Sequence, residues 1–200
     1  HCEAAECEFS LVPREGVPEI LDELRQISDA WLQAKAISEK GFSLGYFDEA
    51  YLMQFPIAVV RQQKKIIAFA NVLEGAGKDE LSADLMRHIP DSPSGVMEYL
   101  FAELLLWGRQ EGYQWFNFGM APLSGIENRP LSPVWNRAAN LIFRYGDHFY
   151  GFEGLRSYKE KFDPVWTPKY LASPGGMALP QILSDVVAII AKNQSNSNRT

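Results

Sequence analysis

Two hundred residues, 46% hydrophobic and 22% charged, describe an ordinary globular chain with enough material for one substantial core. The formal net charge of −6 counts against a surface dedicated to wrapping nucleic acid, because phosphate contacts favour basic partners. A local basic pocket stays compatible with it: Arg156, Lys159, Lys161 and Lys169 lie close together in a chain whose acidic residues crowd its first thirty positions. The longest apolar runs, such as 186–191, fall far short of the roughly 20 residues that a spanning helix needs. The two cysteines, Cys2 and Cys7, have no further ligands at supporting spacings, so plain thiols and no metal are expected. The chain begins with His1 and reads as part of a longer protein.

In chain order, residues 8–13 alternate as a first strand. Residues 17–35 carry Ile20, Leu21, Leu24, Ile27, Trp31 and Leu32 at helical spacing, with Pro18 in the first turn. A short helix is expected over 47–54, with Asp48 near its start. Residues 56–62 and 66–73 form a strand pair across the polar turn Gln63-Lys64-Lys65, and 80–88 make a third strand. The strongest helix covers 94–110: Ser94 can cap it, Gly112 ends it, and Met97, Leu100, Phe101, Leu104, Leu105 and Trp107 form its apolar face. A buried strand at 115–121, helices at 133–145 and 152–161, a strand at 166–171 and an amphipathic helix at 179–192 follow. The polar tail, 193–200, has too little apolar content to order itself.

Sequential hairpins followed by a strand-helix-strand crossover predict an α/β (α+β) protein with a mixed, twisted sheet flanked by helices. That order is the order of the GNAT acyltransferase fold. The domains expected are a linker or disordered start at 1–7, a GNAT-like domain at 8–176, a closing helix at 177–192 and a disordered tail at 193–200.

Several segments carry more than topology. Lys40-Gly41-Phe42-Ser43-Leu44-Gly45, Phe55-Pro56-Ile57-Ala58-Val59-Val60, Asp84-Leu85-Met86-Arg87 and Gly119-Met120-Ala121-Pro122-Leu123-Ser124 follow one another. Phe152-Glu153-Gly154-Leu155-Arg156 and Trp166-Thr167-Pro168-Lys169-Tyr170-Leu171 complete the series. Over roughly residues 8 to 192 the chain resembles the cytoplasmic domain of the aminoacyl-phosphatidylglycerol synthases, also called multiple peptide resistance factors. The resemblance implies a larger protein at the cytoplasmic face of the bacterial inner membrane, with a polytopic membrane region ahead of two tandem GNAT-like domains, the second of which this chain represents. It implies lysyl- or alanyl-tRNA as donor, with lysine favoured, and phosphatidylglycerol as acceptor. The lipid gains a cationic amino acid, which weakens the binding of cationic antimicrobial peptides. Two other readings stay open: an aminoacyl-tRNA-dependent transferase to a peptide or peptidoglycan acceptor, and a non-catalytic lipid-binding domain.

An alcohol attacking the ester that joins an amino acid to a tRNA ribose needs its ammonium held, nearby phosphates neutralised and the developing oxyanion stabilised. The ester is already activated, so neither a covalent intermediate nor a metal is required, and no cofactor is expected. Where acetyltransferases carry a glycine-rich pyrophosphate loop, this sequence reads Arg87-His88-Ile89-Pro90-Asp91-Ser92-Pro93-Ser94-Gly95. Two prolines remove amide donors and Asp91 repels phosphate, which argues against coenzyme A.

Matched to the family motif, Asp84 is the ammonium-binding residue and Arg87 the phosphate- or ester-binding one. Strand residues three apart point to opposite faces unless the strand ends or bulges. Either Arg87 lies beyond the strand end or the two serve separate surfaces. Otherwise they are an ordinary surface ion pair. Lys159 is the third catalytic candidate, an anion-binding cation that shares a helix face with Arg156, while Lys161 points elsewhere. Glu153 lies three before Arg156 and can orient it. Glu98 suits either substrate contact or the positive end of the central helix. Asn117 and Ser124 flank a Gly-Met-Ala-Pro turn at the open end of the sheet.

Overall fold

The computed structural model describes residues 6–35, 47–121, 124, 152–170 and 172, with isolated helical positions at 178, 181, 182 and 185. The chain divides into two compact units, His1–Asn117 with Ser173–Thr200, and Phe118–Ala172.

In the first unit one sheet runs in the order β1 (Cys7–Val12), β2 (Ile57–Gln62), β3 (Lys65–Glu74), β4 (Glu80–His88) and β5 (Trp115–Asn117). The first four strands pair antiparallel, and β5 lies parallel to β4. A parallel neighbour cannot be reached by a tight turn. Helix α3 (Val96–Glu111) provides the crossover. This is the mixed α/β sheet expected, and as far as β5 its strands follow the GNAT-like order expected.

Strand β3 is central and covered on both faces, which explains why its sequence is a nearly unbroken apolar run and not an alternating one. Two clusters form on the two faces. One packs Ala58, Val60, Ala68 and Val72 beneath Val96, Leu100 and Leu104 of α3. The other packs Ile57, Val59, Phe69 and Leu85 beneath Leu24 and Ile27 of α1 (Leu21–Lys35) and Leu52 of α2 (Glu49–Leu52). Each of the Val, Leu, Ile and Phe side chains among them, fully buried, contributes about 1.5–3 kcal/mol. Two glycines permit close approaches. A Cβ on Gly75 would fall 2.6 Å from the Glu80 carbonyl oxygen in the β3–β4 turn, and one on Gly108 would meet Leu81 at 3.0 Å.

Four expectations change at the ends of elements. Pro18 lies in a 3-10 turn, Arg14–Glu19, that buries Val17, and the α-helix begins only at Leu21. The residue preceding α3 is Gly95 at φ 84, not Ser94, because that left-handed position suits a residue without Cβ. Strand β5 stops at Asn117, short of the 121 expected, and Gly119 follows at φ 73, outside the extended range. Residues 164–170 form neither helix nor strand; Pro164 and Pro168 each remove an amide that a ladder would use. The helix expected over 133–145 lies outside the described residues, and so does almost all of the one expected over 179–192. No helix among the described residues is long and apolar enough to cross a membrane.

In the second unit, α4 (Phe152–Glu160) is the described helix, close to the 152–161 expected. The Phe118 and Phe162 rings pack with centroids 4.9 Å apart, and Tyr158 meets Phe162 at 5.8 Å.

Candidate functional site

The face on which Asp84 lies is decided by an irregularity in the β3–β4 ladder. Met86 stands opposite Ala70 and Ala83 opposite Val72, so β4 carries one extra residue, and Asp84 and Leu85 together face Asn71. Such a bulge breaks the alternation of side chains. Leu85 and Phe69 belong to the cluster under α1 and α2, and Arg87 is paired with Phe69. Asp84 reaches toward α2, and Arg87 toward α1. The strand neither ends before Arg87 nor sends the two to separate surfaces; the bulge brings them onto one face.

The Asp84 carboxylate is half-buried and accepts a hydrogen bond of 2.9 Å from the Tyr51 hydroxyl. Burial pushes its pKa above the ordinary carboxylate range, while the Tyr51 hydrogen bond and the charge of Arg87 pull it back down. The Arg87 guanidinium stacks 4.3 Å from the Trp31 ring centroid and donates to the Met86 carbonyl at 2.8 Å. Tyr51 is held by its helix: Asp48 caps α2 by accepting the Tyr51 N–H at 2.7 Å, as its place at the start of the helix suggested. An exposed ion pair, Arg25 to Glu49, ties α2 to α1 and is worth little by itself.

Strand β5 pairs with β4 only as far as Asn117 opposite Ser82. Pairing ends there, and Asp84 lies two residues further along β4. Asn117 donates to Glu80 at 3.1 Å, a contact that closes the paired end of β5. Glu98 is in the first turn of α3, where a carboxylate meets the positive end of the helix. A cavity of about 240 Å³ lined by Leu81, Gly108, Arg109, Tyr113 and Phe116 contains none of the expected site residues.

In the second unit, Lys159 does not lie on a solvated helix face. It is 6% exposed, and its ammonium donates to the Met120 carbonyl at 3.0 Å, beside Gly119. Burial lowers its pKa from the usual lysine value. Arg156 donates to Glu160 at 2.7 Å and stacks 4.5 Å from the Trp166 ring centroid. Its described partner is thus Glu160, one turn ahead; the side chain of Glu153 lies outside the described residues. Lys161 is exposed, with its ammonium 5.3 Å from the Tyr158 ring centroid. Ser124 closes a turn onto the Ala121 carbonyl with its hydroxyl, at 2.8 Å.

Sequence reasoning did not single out Tyr51, Trp31 or Asn71. Tyr51 had a faint signal, since a residue three beyond an N-capping aspartate is fixed in orientation. Tyr51→Phe removes the hydroxyl that favours ionised Asp84. The Asp84 pKa then rises further, so the acidic limb of a transfer-rate profile is expected to move to higher pH. An unmoved limb would separate Asp84 from the reaction.

The family described as phosphatidylglycerol lysyltransferase, C-terminal, matches residues 1–173. Phosphatidylglycerol lysyltransferase of Bacillus subtilis is 43% identical over 178 residues, which is 88% of this chain and 21% of that protein. The Staphylococcus aureus enzyme is 35% identical over 183 residues, 91% of this chain and 22% of that protein. The chain therefore spans about a fifth of the length of these relatives. Among solved structures, the C-terminal domain of a putative lysylphosphatidylglycerol synthetase from Agrobacterium fabrum superposes with a TM-score of 0.79 at 40% identity, over 94% of this chain and 56% of that one. L-PGS from Bacillus licheniformis gives 0.77 at 41% identity, over 95% and 57%. With the mixed sheet and these likenesses together, the chain belongs to the phosphatidylglycerol lysyltransferase C-terminal family.

Proposed function

We propose that this chain is a catalytic portion of an enzyme that transfers lysine from lysyl-tRNA to phosphatidylglycerol at the cytoplasmic face of the bacterial membrane. The observation that carries the reading is its 43% identity, over 88% of its length, to a phosphatidylglycerol lysyltransferase. The remainder of that reaction's machinery belongs to the portion of the protein that this chain does not span, including the tandem GNAT-like and membrane domains.

In the reaction, a headgroup hydroxyl oxygen bonds to the ester carbonyl carbon, and the bond from that carbon to the ribose oxygen breaks. The hydroxyl proton ends on the ribose oxygen, so the transfer balances without a metal or coenzyme. Asp84, ionised and half-buried, holds the ammonium of the lysyl group. Its partial burial strengthens that ion pair relative to one at the surface. Arg87, pre-oriented on Trp31, takes a phosphate through its planar fork. Lys159 supplies positive charge in the second unit, and Arg156 and Lys161 add to it. Glu98, Asn117, Ser124 and Glu153 are assigned supporting contacts to substrate.

The test is to incubate the full-length protein with radiolabelled lysyl-tRNA or alanyl-tRNA and phosphatidylglycerol vesicles. Label is expected in the lipid fraction, with lysine preferred. Label that stays with tRNA, or passes to a peptide acceptor, would overturn the assignment.

A further inference from the structure

Asn71 is the one polar interruption in the apolar run of β3, and its side chain is fully buried. Its carbonyl oxygen accepts the Leu85 N–H at 2.7 Å. Because an N–H only donates, that contact fixes which way the amide points. The Asn71 Nδ2 then has no acceptor among the described residues. A buried donor left unmet destabilises the fold, and an apolar side chain of similar volume would avoid the penalty. What Asn71 gives in return is local geometry. The extra residue in β4 disrupts the ladder opposite Asn71, and there the Asn71 oxygen takes the Leu85 amide.

We infer that Asn71 is the positioning residue for Asp84: its side chain pins the bulge that turns Asp84 and Arg87 onto one face of the sheet. Removing the extra residue from the pairing restores alternation, and residues three apart then point to opposite faces. Asp84 would leave Tyr51, or Arg87 would leave Trp31. The inference rests on the reading of Asp84 as the ammonium-binding residue.

The experiment uses the full-length enzyme with lysyl-tRNA and phosphatidylglycerol vesicles, and four variants: Asn71→Leu, Asn71→Asp, Asp84→Asn and the double variant Asn71→Leu/Asp84→Asn. Rates are paired with hydrogen exchange of the Leu85 amide. Asn71→Leu is expected to lose at least about tenfold in kcat/KM and to expose the Leu85 amide to exchange. Asn71→Asp keeps an oxygen for that amide and is expected to stay within about threefold of the unmodified enzyme. In the double variant, Asn71→Leu is expected to add little to the loss caused by Asp84→Asn, because the two act through one element.

If Asp84→Asn abolishes transfer but Asn71→Leu leaves it intact, the inference about Asn71 falls while the reading of Asp84 stands. If Asp84→Asn leaves transfer intact, the reading of Asp84 falls and takes the inference with it. Should Asn71→Leu fail to fold, Asn71→Asp decides. Lost transfer with a still-protected Leu85 amide would overturn the inference.

Discussion

Asp84→Asn in the full-length enzyme is expected to lower lysyl transfer about a hundredfold, while the domain keeps or gains stability at neutral pH. A partly buried ion pair that loses one partner costs roughly 2–5 kcal/mol, and each 1.4 kcal/mol is tenfold. Asparagine keeps an oxygen for the Tyr51 hydroxyl, so the contact between β4 and α2 survives. The stability half of the expectation follows from the raised pKa. The folded chain holds the Asp84 proton more tightly than the unfolded chain does. The carboxylate therefore subtracts from stability as pH climbs through the ordinary carboxylate range and up to the raised folded value. A neutral side chain removes that penalty. Steady-state kcat/KM for lysyl-tRNA and a thermal melt at pH 7 check both halves. A large fall in melting temperature with transfer retained would make Asp84 a structural residue.

Lys159→Met is the second large effect, a loss of about tenfold or more in transfer with little change in melting temperature. Methionine matches the volume and suits the burial that lysine tolerates poorly. Desolvation lowers the Lys159 pKa, so the folded chain gives up its proton more readily than the unfolded chain. That penalty is present at neutral pH and is relieved only as pH rises from the folded value toward the ordinary lysine range. Losing the hydrogen bond to Met120 offsets part of the gain. The same direction of shift sets the activity profile: the cation disappears at lower pH than an exposed lysine would, so the alkaline limb lies below the usual lysine range. If Lys159→Met melts far below the unmodified chain yet transfers lysine normally, Lys159 serves only to seat α4. If both expectations hold, Asp84 and Lys159 keep function at a cost to stability.

The elements that were legible in the sequence are those in which local preference and burial agree. The β2–β3 hairpin and the central helix have strong periodicity or continuous apolar runs, and their ends moved by a residue or two; β4 alternates less cleanly yet runs over 80–88 as expected. Element ends failed where backbone conformation outweighed composition. Ser94 looks like a cap, but the chain needs a left-handed residue there, and Gly95 takes the place. Pro164 and Pro168 defeat the strand that Trp166 and Tyr170 suggest. At the site, the residue types could be named from the resemblance, but their mutual placement could not. Parity along a regular strand separates Asp84 from Arg87, and only the extra residue opposite Asn71 reverses that result. No periodicity announces a bulge. Lys159 was legible as a cation but not as a buried one, since it shares a charged helix face with Arg156 and Glu160 and the carbonyl it meets, that of Met120, lies 39 positions earlier in the chain.

The two apolar clusters are not sealed from each other, because Ile89 packs against both. Asp84, Tyr51, Arg87 and Trp31 all share the side covered by α1 and α2, whereas the packing around Leu81 and Gly108 is on the side covered by α3. A volume change beneath α3 is therefore expected to be felt on the Asp84 side through Ile89, because residues that share a partner do not behave independently.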